Sequence, residues 1–200
     1  MRVQFISDVD LAKIAHRYLK QHGHLESVPI DIELLCEQVG VSILPTSGLK
    51  QKLSIDAFLT NNCTMIVIDQ DCFNNSIPRA RFSIAHELSH RILHEHLYSK
   101  ANVNDLKSYK AFQASVSGSL KRIEIQAYTL AGHLLMPPDL LKQEILQRTA
   151  LYGDIGALSI GIAEDITTQL LELFNVSDPA LARQLQHVSP EFSEALLQRT

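Results

Sequence analysis

Arg79-Ala80-Arg81-Phe82-Ser83-Ile84-Ala85-His86-Glu87-Leu88-Ser89-His90 is the stretch on which the reading of this chain turns. Pro78 stands where a helix can begin, and Phe82, Ala85, Leu88, Ser89, Ile92 and Leu93 keep helical spacing up to about His96. His86-Glu87-Leu88-Ser89-His90 therefore lies on a helix. At about 100° per residue, positions i and i+4 are separated by roughly 40° and one turn, so two imidazoles can reach a single zinc ion. Glu87 sits on a neighbouring edge of the same helix. It is too close in sequence to ligate comfortably, but well placed to hold a water whose pKa a zinc ion lowers to about 7, which makes it the candidate general base.

A catalytic zinc site takes a third protein ligand, and the residues offer more than one. His96 occupies the last position of the longer H-E-x-x-H-x-x-G-x-x-H pattern, whose glycine lets the helix break; here that position holds Leu93. In a continuous helix His96 then lies about 240° round from His90 and points elsewhere. His94, at i+4 from His90, is nearer the metal face, yet three ligands on one straight helix close a tetrahedron poorly, so it reads as a support behind the ligands or a helix cap. Glu124 belongs to the next helical pattern, Lys121 to Met136, in which Ile123, Ala127, Leu130, Ala131 and Leu134 share a face and Pro137-Pro138 stops the run. Packed against the first helix, it offers one carboxylate from the side. Periodicity alone does not separate that role from an ordinary surface glutamate within Lys121-Arg122-Ile123-Glu124.

Upstream, Leu11, Ile14, Ala15, Tyr18 and Leu19 mark an amphipathic helix over 8–21, with Asp8 or Asp10 as cap and Gly23 as stop. Pro29-Ile30-Asp31 opens a second, closed at Gly40 and followed by a strand-like Val41-Ser42-Ile43-Leu44-Pro45. Residues 46–54 read as polar turn. Ala57–Thr60 and Thr64–Asp69 read as two short strands joined at Asn61-Asn62. Residues 97–120 are polar and serine-rich, either a flap or a short helix around Leu106 to Phe112. Two or three more helices fill 139–198.

The expected fold class is α+β. A mainly helical, metallopeptidase-like core over 1–140 carries a small antiparallel sheet ahead of the histidine helix, and a helical subdomain over 141–200 is suited to docking a partner.

Composition narrows the function classes. The chain has 200 residues, a 46% hydrophobic fraction and only 8 glycines and 7 prolines, which excludes a disordered or collagen-like chain. Its apolar runs fall far short of the roughly 20 residues a membrane span requires, and the N-terminus meets acidic residues before a signal peptide develops, so a cytoplasmic protein is expected. A net charge of −4 gives no general pull toward nucleic acid or membrane. Cys36, Cys63 and Cys72 are odd in number and lack C-x-x-C spacing, so neither disulfides nor a thiolate zinc knuckle is indicated. Residues 168–186 have helix-turn-helix rhythm, which supports an alternative reading as a non-catalytic regulatory or binding module. Against direct DNA binding, 157–200 carry two arginines and six acidic residues, a balance of 2 − 6 = −4.

The stretch Arg79 to His90, followed by Leu93-His94, resembles the signature of the ImmA/IrrE family of zinc metallopeptidases. Glu124-Ile125-Gln126-Ala127-Tyr128-Thr129-Leu130-Ala131-Gly132-His133-Leu134-Leu135-Met136-Pro137 resembles the family's second conserved helix, and Phe174-Asn175-Val176-Ser177 its C-terminal segment. The resemblance implies a single catalytic zinc held by His86, His90 and Glu124, with Glu87 as base; two imidazoles and a carboxylate accept other divalent ions as well. It also implies a protein substrate, a helix-turn-helix transcriptional repressor cut at a specific site to relieve repression of stress-response or mobile-element genes. The chain departs from the family at Leu130, a benign apolar exchange, and at His133, which the helix turns away from Glu124 and which reads as structural or exposed. Tyr128 is a third departure. At i+4 from Glu124 it faces the same way, a candidate to orient Glu124 or to donate a hydrogen bond at the site, with aromatic packing as the plainer role. Tyr152 and His187 are further candidates for the second oxyanion donor that peptide hydrolysis needs.

Overall fold

The computed structural model describes residues 3–60, 62–153, 155 and 158–197. Its elements run α1 (Asp8–Gln21), α2 (Ile32–Gln38), β1 (Ser42–Thr46), α3 (Leu49–Leu53), β2 (Ala57–Thr60), β3 (Met65–Asp69), α4 (Gln70–Asn75), α5 (Ile77–Ala101), α6 (Leu106–Ser115), α7 (Ser117–Leu135), α8 (Pro138–Thr149), α9 (Ile160–Phe174), α10 (Asp178–Val188) and α11 (Pro190–Leu197). The class is α+β, as the sequence predicts.

The sheet is richer than the expected hairpin. β3 lies in the middle, antiparallel to β2 and parallel to β1, so the three strands form a mixed sheet in the order β1-β3-β2. Parallel pairing of β1 needs a crossover, and α3 with β2 supplies it. Asn61 of the expected Asn-Asn turn lies outside the described residues, while Asn62 and Cys63 take positive φ to reverse the chain. The sheet packs on α5, and Leu59, Ile66 and Ile68 are fully buried there. The region 46–54, expected as turn, holds the one-and-a-half-turn α3, whose Lys50 N–H donates to the Asp69 carboxylate at 2.8 Å.

Local signals account for most helix ends. Ser7, rather than either aspartate, caps α1, its hydroxyl accepting from the Asp10 N–H; Asp31 caps α2 through the Leu34 N–H. Pro78 opens α5, which runs five residues beyond the expected end near His96 and stops at Asn102 in the left-handed conformation. The serine-rich connection resolves as α6, begun by a capping box between Asp105 and Ser108, and α7 starts at Ser117 rather than Lys121. Beyond Pro137 the described residues hold four helices, α8–α11, where two or three are expected.

α5 and α7 pack along each other, and α1 lies on α7. α5 is buried around most of its circumference, not on a single stripe. Ala80, Ile84 and Leu88 are buried apolar residues, but so are the polar Arg81, Glu87, His90 and His94. Arg81 fixes the start of this helix by donating to the carbonyls of Ile30 and Asn175, so the strap before α2 and the end of α9 both hang from it. Arg91 does the same further along, toward the carbonyls of Val39 and Cys63.

α10 docks on α7 through a polar clasp. His133 is buried; its Nε2–H donates to Asp8 Oδ1 at 3.1 Å, and its Nδ1 accepts from Gln184 Nε2 at 2.8 Å, which also donates to the Met136 carbonyl. His133 is thus structural, of the two roles that its helix position allows. Gly132 makes room for this contact, because a Cβ there would come within 2.9 Å of Gln184 Oε1. Replacing His133 by leucine removes one link to α1 and leaves a buried amide short of a partner. The expected loss is about 1–3 kcal/mol of folding stability, read by urea denaturation.

Candidate metal centre

Two helices build the site. α5 delivers His86 and His90 one turn apart, and α7 crosses beside it with Glu124. His86 Nε2 lies 3.1 Å from Glu124 Oε2 and 3.1 Å from His90 Nε2, and His90 Nε2 lies 3.7 Å from Glu124 Oε2. Ligands held about 2.0–2.2 Å from one tetrahedral ion sit roughly 3.3–3.6 Å apart, so this triangle is within a few tenths of an ångström of the size that a divalent ion such as zinc requires. Its chemistry fits as well. Two ring nitrogens facing each other can share at most one proton, whereas a cation satisfies both lone pairs and the carboxylate together. Among the described residues, His86, His90 and Glu124 are the group of potential ligands that converges in this way.

Burial and mutual contact set the charge states. Burial works against protonating His86, but the adjacent Glu124 carboxylate outweighs it and holds that pKa above its ordinary value. His90, deeper in the core, is pushed down to about 4 by burial. Burial would raise the Glu124 pKa, yet the contacts with His86 and His90 hold it well below the usual carboxylate range. A neutral His90 nitrogen, a His86 nitrogen whose proton a cation would displace, and one carboxylate face a common point.

Glu87 lies beside this triangle, 4% exposed. It accepts the backbone N–H of Leu59, and burial raises its pKa to about 7. The ladder explains the contact. Asp69 N–H donates to the Asp56 carbonyl, which sets Ala57 and Leu59 with their N–H groups directed away from β3, toward the open side of β2. One Glu87 oxygen is thereby fixed, and Oε2 is buried without a hydrogen-bond partner among the described residues. A buried carboxylate oxygen kept free beside a cation site is the arrangement expected of a base awaiting water.

The other candidates separate. His94 is buried on the far side of His90, and His96 is exposed on the outer face of α5, away from the ligand triangle. The Tyr128 ring stacks on Phe82 at 4.6 Å between centroids, stands edge-on to His86 at 6.3 Å, and carries the Arg183 guanidinium 4.3 Å above it. Its hydroxyl makes no hydrogen bond to Glu124 among the described residues. Tyr152 is half exposed after α8, and His187 is exposed on α10. Gln126, Arg183 and the Leu59 N–H have no distinctive sequence signal. Gln126 reads as one more polar residue on α7, Arg183 reaches the Tyr128 ring from a helix 59 positions after Glu124, and a backbone N–H carries no side-chain signature.

A helix-borne His-Glu-x-x-His with a carboxylate from a second helix defines a peptidase of the metal-dependent class. Residues 36–186, well over half of the chain, match the model of the M78 peptidase family, described as the IrrE N-terminal-like domain, and the chain belongs to this ImmA/IrrE family. No curated protein matches the sequence. Among the described residues no helix is long and apolar enough to cross a membrane.

Proposed function

We propose that this chain is a zinc metalloendopeptidase that cleaves a partner protein at a specific site, the partner being a transcriptional repressor of the helix-turn-helix class. The observation that carries the peptidase reading is the convergence of His86 Nε2, His90 Nε2 and Glu124 Oε2 beside a buried Glu87 oxygen with no partner. A bound zinc ion would supply a Lewis acid that lowers the pKa of water and polarises the scissile carbonyl. Glu87 Oε2 takes the proton from the attacking water and returns it to the leaving amine, while the Leu59 N–H holds the other carboxylate oxygen in place. The donor set of two imidazoles and a carboxylate also accepts other divalent ions.

The second donor to the tetrahedral oxyanion is proposed to be Tyr128, whose ring borders His86. Tyr128→Phe is then expected to lower kcat by about 100-fold with zinc affinity unchanged. Unaltered turnover in that variant would remove Tyr128 from the mechanism and leave its ring as packing between Phe82 and Arg183.

The repressor as partner rests on family membership, and the helices of 141–200 are proposed to take part in docking it in the cytoplasm. Direct DNA binding by this half is disfavoured by its acidic balance and by Asp178 at the start of α10. The test is incubation of the zinc-loaded protein with a lysate of its source cells, with and without chelator, followed by mass spectrometry of new N-termini. A small set of zinc-dependent cuts within DNA-binding repressors is expected. An unchanged set of termini would count against the peptidase reading, and cuts spread over many unrelated proteins would count against the partner.

A further inference from the structure

Behind His90 runs a series of hydrogen bonds that the reaction described above does not use. Gln126 Nε2 lies 2.8 Å from the Gln4 carbonyl, Gln126 Oε1 lies 3.0 Å from His94 Nε2, and His94 Nδ1 lies 3.3 Å from His90 Nδ1. Gln126, His94 and His90 are all buried.

Donor counting assigns every proton in this series from its outer end. A carbonyl only accepts, so the Gln126 amide must present its NH2 to Gln4 and its oxygen to His94. That oxygen also only accepts, so the proton of His94 sits on Nε2. A neutral imidazole carries a single proton, so Nε2–H leaves a lone pair on the His94 Nδ1, which faces His90 Nδ1 at 3.3 Å. His90 Nδ1 then carries a proton and donates it. The remaining lone pair of His90 is on Nε2, the atom that faces His86 and Glu124.

We propose that Gln126 and His94 are positioning residues which, anchored on the Gln4 carbonyl, fix His90 as its Nδ1–H tautomer and so aim the Nε2 lone pair at the metal. The inference rests on the metallopeptidase reading and adds to it the residues that prepare one ligand before metal arrives. α7 thereby serves the site twice, with Glu124 as a ligand and Gln126, two residues on, as the far end of the support for a ligand on α5. Arg122, which donates to the Val3 carbonyl at 2.7 Å, helps hold the N-terminal strap on which the series ends. Partners that orient a metal-binding imidazole are worth about 10–100-fold in metal affinity.

The experiment has two readouts on the full chain, neither of them activity. Long-range proton–nitrogen correlation spectra of the metal-free protein, labelled with 15N-histidine, report which ring nitrogen bears the proton. His90 is expected at Nδ1–H and His94 at Nε2–H. Zinc affinity, measured by competition with a chromophoric chelator, is expected to fall about 10–100-fold in His94→Phe, which keeps a buried ring but offers no acceptor, and largely to recover in His94→Gln, which offers an oxygen. Gln126→Leu, on a different helix, tests the same series where His94→Phe does not fold, and is expected to weaken zinc in the same direction. His90 protonated at Nε2 in the metal-free parent, or unchanged zinc affinity in folded His94→Phe and Gln126→Leu, would overturn the inference while leaving the zinc site intact. A parent that binds no zinc would overturn the metal reading and this inference together.

Discussion

Glu87→Gln is expected to lose peptide hydrolysis by about 100- to 10,000-fold while binding zinc as tightly as the parent. The substitution is nearly isosteric. Its amide oxygen can still accept the Leu59 N–H, so the side chain keeps its anchor on β2. The second position changes from an oxygen that can take a proton to an NH2 that cannot, and this is the oxygen left without a partner in the core. None of the three converging ligand atoms belongs to Glu87, so the metal stays. Rates are read on the zinc-dependent cuts from the lysate experiment. A variant that cleaves at the parental rate would sink Glu87 as the base, and one that loses both zinc and activity would make it a structural prop of the site.

How much of this is legible in the sequence depends on the range of the signal. Helix periodicity and the spacing of His86, Glu87 and His90 are local, and the structure keeps them on one helix. Asp31, Pro78 and Pro137 are local as well, and the helix boundaries follow them closely. Short or unpatterned elements escaped. α3 has five residues and begins at a left-handed Gly48, so a turn-like composition concealed it. Ser117-Gly118-Ser119 reads as loop, yet it forms the first turn of α7, where packing against α5 and α1 overrides weak propensity. Parallel pairing of β1 with β3 left no mark in either strand, because alternation shows that a strand has a buried face and not which neighbour it takes. At the site, the residues do not by themselves choose Glu124 over its rivals; the resemblance does, and across two helices the ligand atoms of His86, His90 and Glu124 lie close enough together to hold one ion. The Gln126–Gln4 bond joins positions 122 apart in the chain, beyond any window of periodicity.

Glu124→Ala is expected to abolish tight zinc binding, with an affinity loss beyond the roughly 100-fold that removal of a supporting partner causes. Native mass spectrometry of the parent with one equivalent of zinc should show one ion held, and the variant should show none or a weakly held one. The same loss has a thermodynamic signature. A ligand at 100 times its Kd stabilises the folded state by about 2.7 kcal/mol, which in a chain of this size raises Tm by roughly 5–10 °C. The parent should therefore melt higher in zinc than in chelator, Glu124→Ala should melt at the same temperature in both, and Glu87→Gln should keep the parental difference. Glu124 is half-buried at the edge of the site, with its helix held by Ile123, Ala127 and Leu130 in the core, so truncation to alanine leaves the packing of α7 in place. A parental zinc shift that survives in Glu124→Ala would mean that the ion rests on other atoms, and the two-helix site would fall even if the protein proved to be a metalloenzyme.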